Sequence, residues 1–287
     1  MSRTLAQLAD TTQDDLFAGF VDTLLKTDEF TAALIANAGV TDRPSLKFNR
    51  LASVPTPVYA DCDTSFSNQA ISGGPVTVDL LTLAVQFNVC TIGQNLYSSY
   101  TDVVASEVQG ALQGLSHKIL ADSIGAGNGS TAILGLDSVA TNTFAKAGAS
   151  VDVGDLDRLI DEVKDKSDRC FFVGAPATVR AVLAELRAES GGMDYQTLAG
   201  TAMRTPAYLG YNILKAEGAG SGKMWFVNPD SGYKLFFGTS EDTPIGGVFA
   251  MQDLGNSQTK LEKLWRIYAH IAGVSLNPLG IAELTGI

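Results

Sequence analysis

The chain has 287 residues, enough for one large domain or two smaller ones. Its hydrophobic share of 45% contains no apolar run of the roughly 18 residues that a membrane helix needs. A net charge of −11, with a pI near 4.6, argues against sequence-specific DNA or RNA binding, which needs a basic stripe; it does not exclude a protein that encloses nucleic acid, since an acidic wall would repel phosphate.

The start, MSRTLAQLADTTQDD, is polar and acidic and is neither a signal nor a transit peptide. The chain is therefore expected to be soluble and to stay where it is made. Cys62, Cys90 and Cys170 are odd in number and far apart. They read as buried thiols of a reducing compartment, not as a disulfide framework.

In chain order, residues 2–40 carry two helical stripes: Leu16, Phe20, Leu24 and Leu25, then Phe30, Leu34 and Ile35, ending at Gly39. They form either a core helix pair or an arm that docks on a neighbour, and the polar, small-residue start favours the arm. Asp42-Arg43-Pro44 breaks the helix. In 45–53, Leu46, Phe48 and Arg50 alternate with Lys47, Asn49 and Leu51. Residues 54–75 contain three prolines and Gly73-Gly74, with no helical period. Residues 76–90 alternate again through Val76, Val78 and Leu80, then, after a run, through Val85, Phe87 and Val89. Two strand-like arms around an irregular middle predict a long hairpin. Its connection of about 20 residues is too long for an ordinary loop of a compact domain, and its exposed edges need cover from another chain.

Ser98 to Gly127 reads as one long helix, with Val104, Val108, Ala111, Leu115 and Ile119 on one face. Ser99 and Asp102 have capping spacing, and Gly125 and Gly127 supply the stop. About 25 residues give a rod of roughly 38 Å. Gly110 and Gly114 inside it each cost about 1 kcal/mol of propensity, so close packing is expected there. No heptad is sustained, which favours a sheet laid along the rod. In the small-residue connection that follows, Ile133, Leu134 and Leu136 suggest one short strand.

From residue 151 the texture becomes α/β. Val153, Leu156, Leu159, Ile160 and Val163 predict an amphipathic helix, acidic at its start and basic at its end. CFFVGA (170–175) is a short buried strand, and Pro176 opens a helix through Val179, Val182, Leu183 and Leu186. Residues 191–210 read as a long loop. Strands follow at 211–216, 223–228 and 233–239, with 246–254 after them. Leu261, Leu264, Trp265, Ile267 and Ile271 suggest a strand pair, and PLGIAELTGI a short apolar tail.

Chemical motifs are weak. EGAGSGKM (217–224) lacks the P-loop's first Gly and its Ser or Thr after Lys, and reads as a hairpin turn. Asp61-x-Asp63-x-Ser65 has Phe66 and Ser72 where a calcium loop needs Gly and Glu. His117 and His270 have no ligand or nucleophile at suitable spacing, and no Gly-x-Ser-x-Gly elbow occurs. Acidic pairs such as Asp161-Glu162 read as a solvated helix face. A non-enzyme is expected, with no catalytic residue, cofactor or metal.

The order of parts is more telling: an arm, a long irregular hairpin, a spine-like helix, an α/β insert and returning strands. It resembles the major capsid protein of tailed bacteriophages, the Hong Kong 97-type shell fold, an α+β architecture. The resemblance is carried by the hairpin 46–90, the helix 99–124 and the block 153–187. To these it adds Pro206-x-x-Leu209-Gly210-Tyr211-Asn212-Ile213 and the closing GVSLNPLGIAEL (273–284). It implies an N-terminal arm at 1–45 and an extended loop at 46–90 lying over a neighbouring subunit. It also implies a peripheral domain from 91–150 and 232–287, with the spine helix, and an axial domain at 151–231.

On the resemblance, Lys47, Phe48, Arg50, Pro55, Pro57, Tyr59 and Phe66 are contact residues of the loop, and Gly73, Gly74, Gly125 and Gly127 are hinges for shell expansion. Proline at Gly73 and Gly74 is then expected to impair assembly or expansion. The implied partners are many copies of the chain, in pentamers and hexamers of an icosahedral phage head. That head is assembled in the host cytoplasm and encloses double-stranded DNA without sequence-specific binding. Scaffold, portal and cement proteins are further implied partners; a membrane is not. Some family members cross-link a loop lysine to an asparagine of another subunit. Here Lys47 sits near the loop's base and no lysine follows from 48 to 117, so no covalent chain-mail is expected. The alternative is an encapsulin, a nanocompartment of the same fold that encloses cargo enzymes. An alternative of another class is a soluble α/β enzyme built on 151–240.

Overall fold

The computed structural model describes residues 29–53, 72–90, 100–127, 129–148, 151–190, 194–198, 204–220, 222–239, 249–257 and 262–287. The first helical stripe, the Ser99–Asp102 cap, Cys62, the Asp61 motif and the Gly191-Gly192 stop lie outside these residues.

A seven-stranded sheet forms one half of the fold. Its strands are β5 (Asn142–Ala145), β6 (Phe171–Gly174), β7 (Asp194–Thr197), β8 (Arg204–Tyr208), β9 (Tyr211–Lys215), β10 (Lys223–Val227) and β14 (Ile281–Thr285). They lie in the order β5-β14-β10-β6-β9-β8-β7. Both faces are covered, which is why β6 reads as an unbroken apolar run. Phe171, Val173, Trp225 and Val227 face one core; Phe172, Met224 and Phe226 face the other. The second core is closed by α4 (Val153–Glu162) and α5 (Pro176–Ser190). A capping box starts α4: Asp152 accepts from the Asp155 N–H and Asp155 from the Asp152 N–H, both at 2.9 Å.

The first core belongs to α1 (Glu29–Ala36) and the spine helix α2 (Tyr100–Ile124). The spine has 25 residues, as the sequence suggests. It buries Val108, Ala111, Leu115 and Ile119 against β4 (Leu81–Cys90), whose Leu81, Leu83, Val85, Phe87 and Val89 face it. The sheet laid along the rod is therefore present. The close packing expected at Gly110 and Gly114 is not: a Cβ at either meets nothing within 4 Å. Both glycines are exposed, so Gly110→Ala and Gly114→Ala should each stabilise the subunit by about 1 kcal/mol, read by urea unfolding.

The second sheet has five strands built on β13 (Glu262–Val274). Strand β4 pairs along one side, from Leu81↔Ile271 to Cys90↔Glu262. On β13 the register passes from β11 (Lys234–Gly238) to β12 (Phe249–Asn256) without a gap, since Gly238 pairs with His270 and Phe249 with Ala269. Short β1 (Gly39–Thr41) pairs parallel to β11.

Several expectations are corrected. In place of the expected strand pair there is one strand, β13, over Glu262–Val274; within it Gly273 is required because a Cβ there would meet the Leu134 carbonyl and the Tyr233 hydroxyl that donates to it at 2.7 Å. The apolar tail is β14, set between β5 and β10. Residues 133–136 form no strand: α3 (Leu136–Val139) starts there and the strand is β5. The loop 191–210 contains the paired strands β7 and β8. Residues 217–222 are not a hairpin turn, because β6 lies between β9 and β10. Helix α1 is no free arm: Phe30, Ala32, Ala33 and Leu34 are buried in the subunit's own core, with Phe30 edge-on to Phe171.

Candidate assembly surface

The hairpin pairs β2 (Ser45–Ser53) with β3 (Ser72–Asp79) in a sheet of two strands. Leu46 faces Val78 and Phe48 faces Val76. These four side chains make the apolar face of the ribbon. At its base they pack on Phe236, Ala272, Val274 and Leu276, and the Leu80 N–H donates to the Pro44 carbonyl at 3.0 Å. Farther out, Asn49, Gly74 and Pro75 are exposed. Nine residues carry β2 about 30 Å, and a two-stranded ribbon is marginal without added support.

This divides the long arm 76–90. Its first part, through Asp79, belongs to the hairpin; from Leu81 the chain pairs with β13 of its own subunit. The extended segment that lacks a partner is therefore shorter than 46–90.

Of the residues singled out for contact, Lys47 is exposed and Phe48 half-buried. Arg50 pairs through its backbone with Gly74, and its side chain is outside the described residues. Pro55, Pro57, Tyr59 and Phe66 also lie outside them. Gly73 and Gly74 are strand residues, next to a register shift between Leu51 and Ser53. Gly125 and Gly127 end the spine in a close-packed corner, where a Cβ at Gly127 would fall on the Ile133 carbonyl. Gly127→Ala should thus cost about 1–3 kcal/mol by overpacking, checked by the unfolding midpoint.

Two features escape the sequence reading. The first is an ion cluster tying α3 to the seven-stranded sheet. Lys223 Nζ lies 2.9 Å from Asp137 Oδ1 and 3.3 Å from Glu283 Oε1, the latter an ionic contact short of a good hydrogen bond. Glu283 is only 5% exposed. Burial raises its carboxyl above the ordinary value, against the pull of Lys223. The hydrogen bond that Lys223 donates to Asp137 holds its ammonium pKa above the ordinary value. The second is the β8–β9 turn, Leu209-Gly210, with φ of 48° and 86°. A left-handed leucine costs about 1–2 kcal/mol, and this one is 68% exposed.

The two histidines lie apart. His117 is exposed on the spine, and His270 Nδ1 is 2.9 Å from Thr82 Oγ1. Cys170 is buried, and burial raises its thiol. Among the described residues no three His, Cys, Asp or Glu side chains group to hold a metal, and no helix is long and apolar enough to cross a membrane.

No family model and no curated protein sequence matches the chain. Solved structures do. The SrpI encapsulin of Synechococcus elongatus is 14% identical with a TM-score of 0.70, covering 88% of this chain and 86% of its own. The capsid of cyanophage A-1(L) is 12% identical with a TM-score of 0.69, covering 90% and 92%. A virus-like particle from Pyrococcus furiosus is 13% identical with a TM-score of 0.56, covering 94% and 97%. With its spine helix between two sheets and its projecting ribbon, the chain has the Hong Kong 97-type shell fold of phage capsid proteins.

Proposed function

We propose that this chain is the major capsid protein of a phage head, closing in pentamers and hexamers into an icosahedral shell around double-stranded DNA. The observation that carries this reading is the β2–β3 ribbon, seated on its own subunit only at the base and left without a partner strand among the described residues beyond it. In a closed assembly neighbouring copies supply that support, and many weak contacts multiply. The chain's net charge of −11 suits a wall that encloses phosphate without holding it. The ribbon serves as the extended loop, the β13 sheet and spine as the peripheral domain, and the seven-stranded sheet with α4 and α5 as the axial domain; β5 and β14 of that sheet come from 91–150 and 232–287, so the bounds of 151–231 expected for the axial domain are too narrow. Gly73 and Gly74, opposite the irregular end of β2, are the soft point of the loop during expansion.

A second reading, an encapsulin shell around cargo enzymes, is favoured by the likeness to the SrpI encapsulin. Negative-stain microscopy of the expressed protein, with nuclease treatment and analysis of contents, separates the two. Shells with nuclease-protected double-stranded DNA in the native particle support the phage head; shells filled with a co-encoded enzyme support the encapsulin. A protein that stays monomeric at all concentrations overturns both.

A further inference from the structure

We infer that the Leu209-Gly210 turn and the outer edge of β7 form a contact surface for a second copy of this chain, with Leu209 as its apolar pin. The inference rests on the shell reading and adds the residues of one contact to it. A two-residue turn with positive φ at both centres is met at little cost by Asn-Gly. Here a leucine holds the first place, left-handed and largely in solvent. Within one subunit the position is doubly unfavourable, in backbone and in exposed apolar surface. A partner that buries the side chain removes the second penalty and outweighs the first.

The surroundings match a partner of the same kind. The outer edge of β7 pairs with no strand among the described residues, and Tyr195 on it is half exposed. Gln196 lies against Gly210, so the β7 edge and the turn are one continuous surface. Asp194 and Arg204, both exposed, mark opposite ends of the β7–β8 ladder, where Asp194 pairs with Ala207 and Arg204 with Thr197. Copies set head to tail bring Arg204 of one toward Asp194 of the next, a heterologous contact, the kind that builds rings when the rotation between copies closes. The two charges cancel, so this ladder offers no basic surface to nucleic acid.

Leu209→Asn separates the pin from the fold, because asparagine accepts the left-handed conformation. The full chain, wild type and variant, is compared by light scattering for the concentration at which shells form, and by thermal unfolding of unassembled subunits. Expected are an unchanged or higher melting temperature and an assembly threshold raised about tenfold. Tyr195→Ser should raise the threshold in the same direction. A variant that assembles like wild type, or one whose isolated subunit melts lower, overturns the inference while leaving the shell reading intact. Absence of shells from the wild type removes the shell reading and the inference with it.

Discussion

Replacing Lys223 by methionine is expected to destabilise the subunit by about 3 kcal/mol near pH 8. The lysine is the cation beside Glu283, whose side chain is buried in β14. Without it the charged neighbour left beside the carboxylate among the described residues is Asp137, of like charge. The sign of the pH dependence follows. A carboxyl whose folded pKa lies above its ordinary 4.5 binds its proton more tightly in the folded chain. Its contribution to stability is full below that ordinary value and is lost as pH rises through the folded one. Removing Lys223 removes the influence that lowers the folded value, so the window widens upward. The variant should lose stability progressively on going from pH 5 to pH 8, and recover on acidification as Glu283 takes up a proton. Glu283→Gln, neutral at both ends, should lie within about 1 kcal/mol of wild type and flatten the pH dependence of the lysine variant. Urea unfolding at the two pH values checks this; a Lys223→Met loss that does not change with pH would show that the cluster is not ionised as described.

The sequence carried the spine helix with nearly its observed limits, because its buried face repeats at helical spacing from Val108 to Ile124 and ends at a glycine-rich corner. It carried β6 because a strand covered on both faces has no polar positions. What it hid has physical causes. The division between β3 and β4 is a change of parity: Val76 and Val78 face inward on even numbers, while Leu83, Val85 and Phe87 do so on odd ones. A one-residue slip sends every following side chain to the other face, and the slip at Leu80-Leu81 is where the chain leaves one sheet for another. That signal was present and read as a mere run of apolar residues. Strand β7, Asp-Tyr-Gln-Thr, has no alternation to read because its exposed edge needs none; Pro206 argued further against its partner β8. Leu209-Gly210 was singled out only as part of a family-like motif, not as a strand-to-strand turn, because the Asn or Asp that such a turn favours before its Gly is absent and a leucine gives no turn signal.

Deleting residues 54–71 and joining Ser53 to Ser72 through an Asn-Gly turn is expected to leave a folded subunit that forms no shells. The apolar seat of the ribbon, Leu46, Phe48, Val76 and Val78 on Ala272 and Val274, lies wholly within what is kept. The unfolding midpoint of the isolated subunit should therefore stay close to wild type; a short turn also lowers the closure entropy of the hairpin. Assembly should respond very differently. If the projecting part is held by neighbours, every copy loses the contacts it makes and the contacts it receives, and multivalency turns that pairwise loss into a rise of at least about a hundredfold in the concentration needed to close a shell. Light scattering and negative-stain images of the shortened protein, beside its melting curve, give the two readouts separately. Intact shells from a normally melting variant would mean that the ribbon is decoration and that the subunits are held by other surfaces.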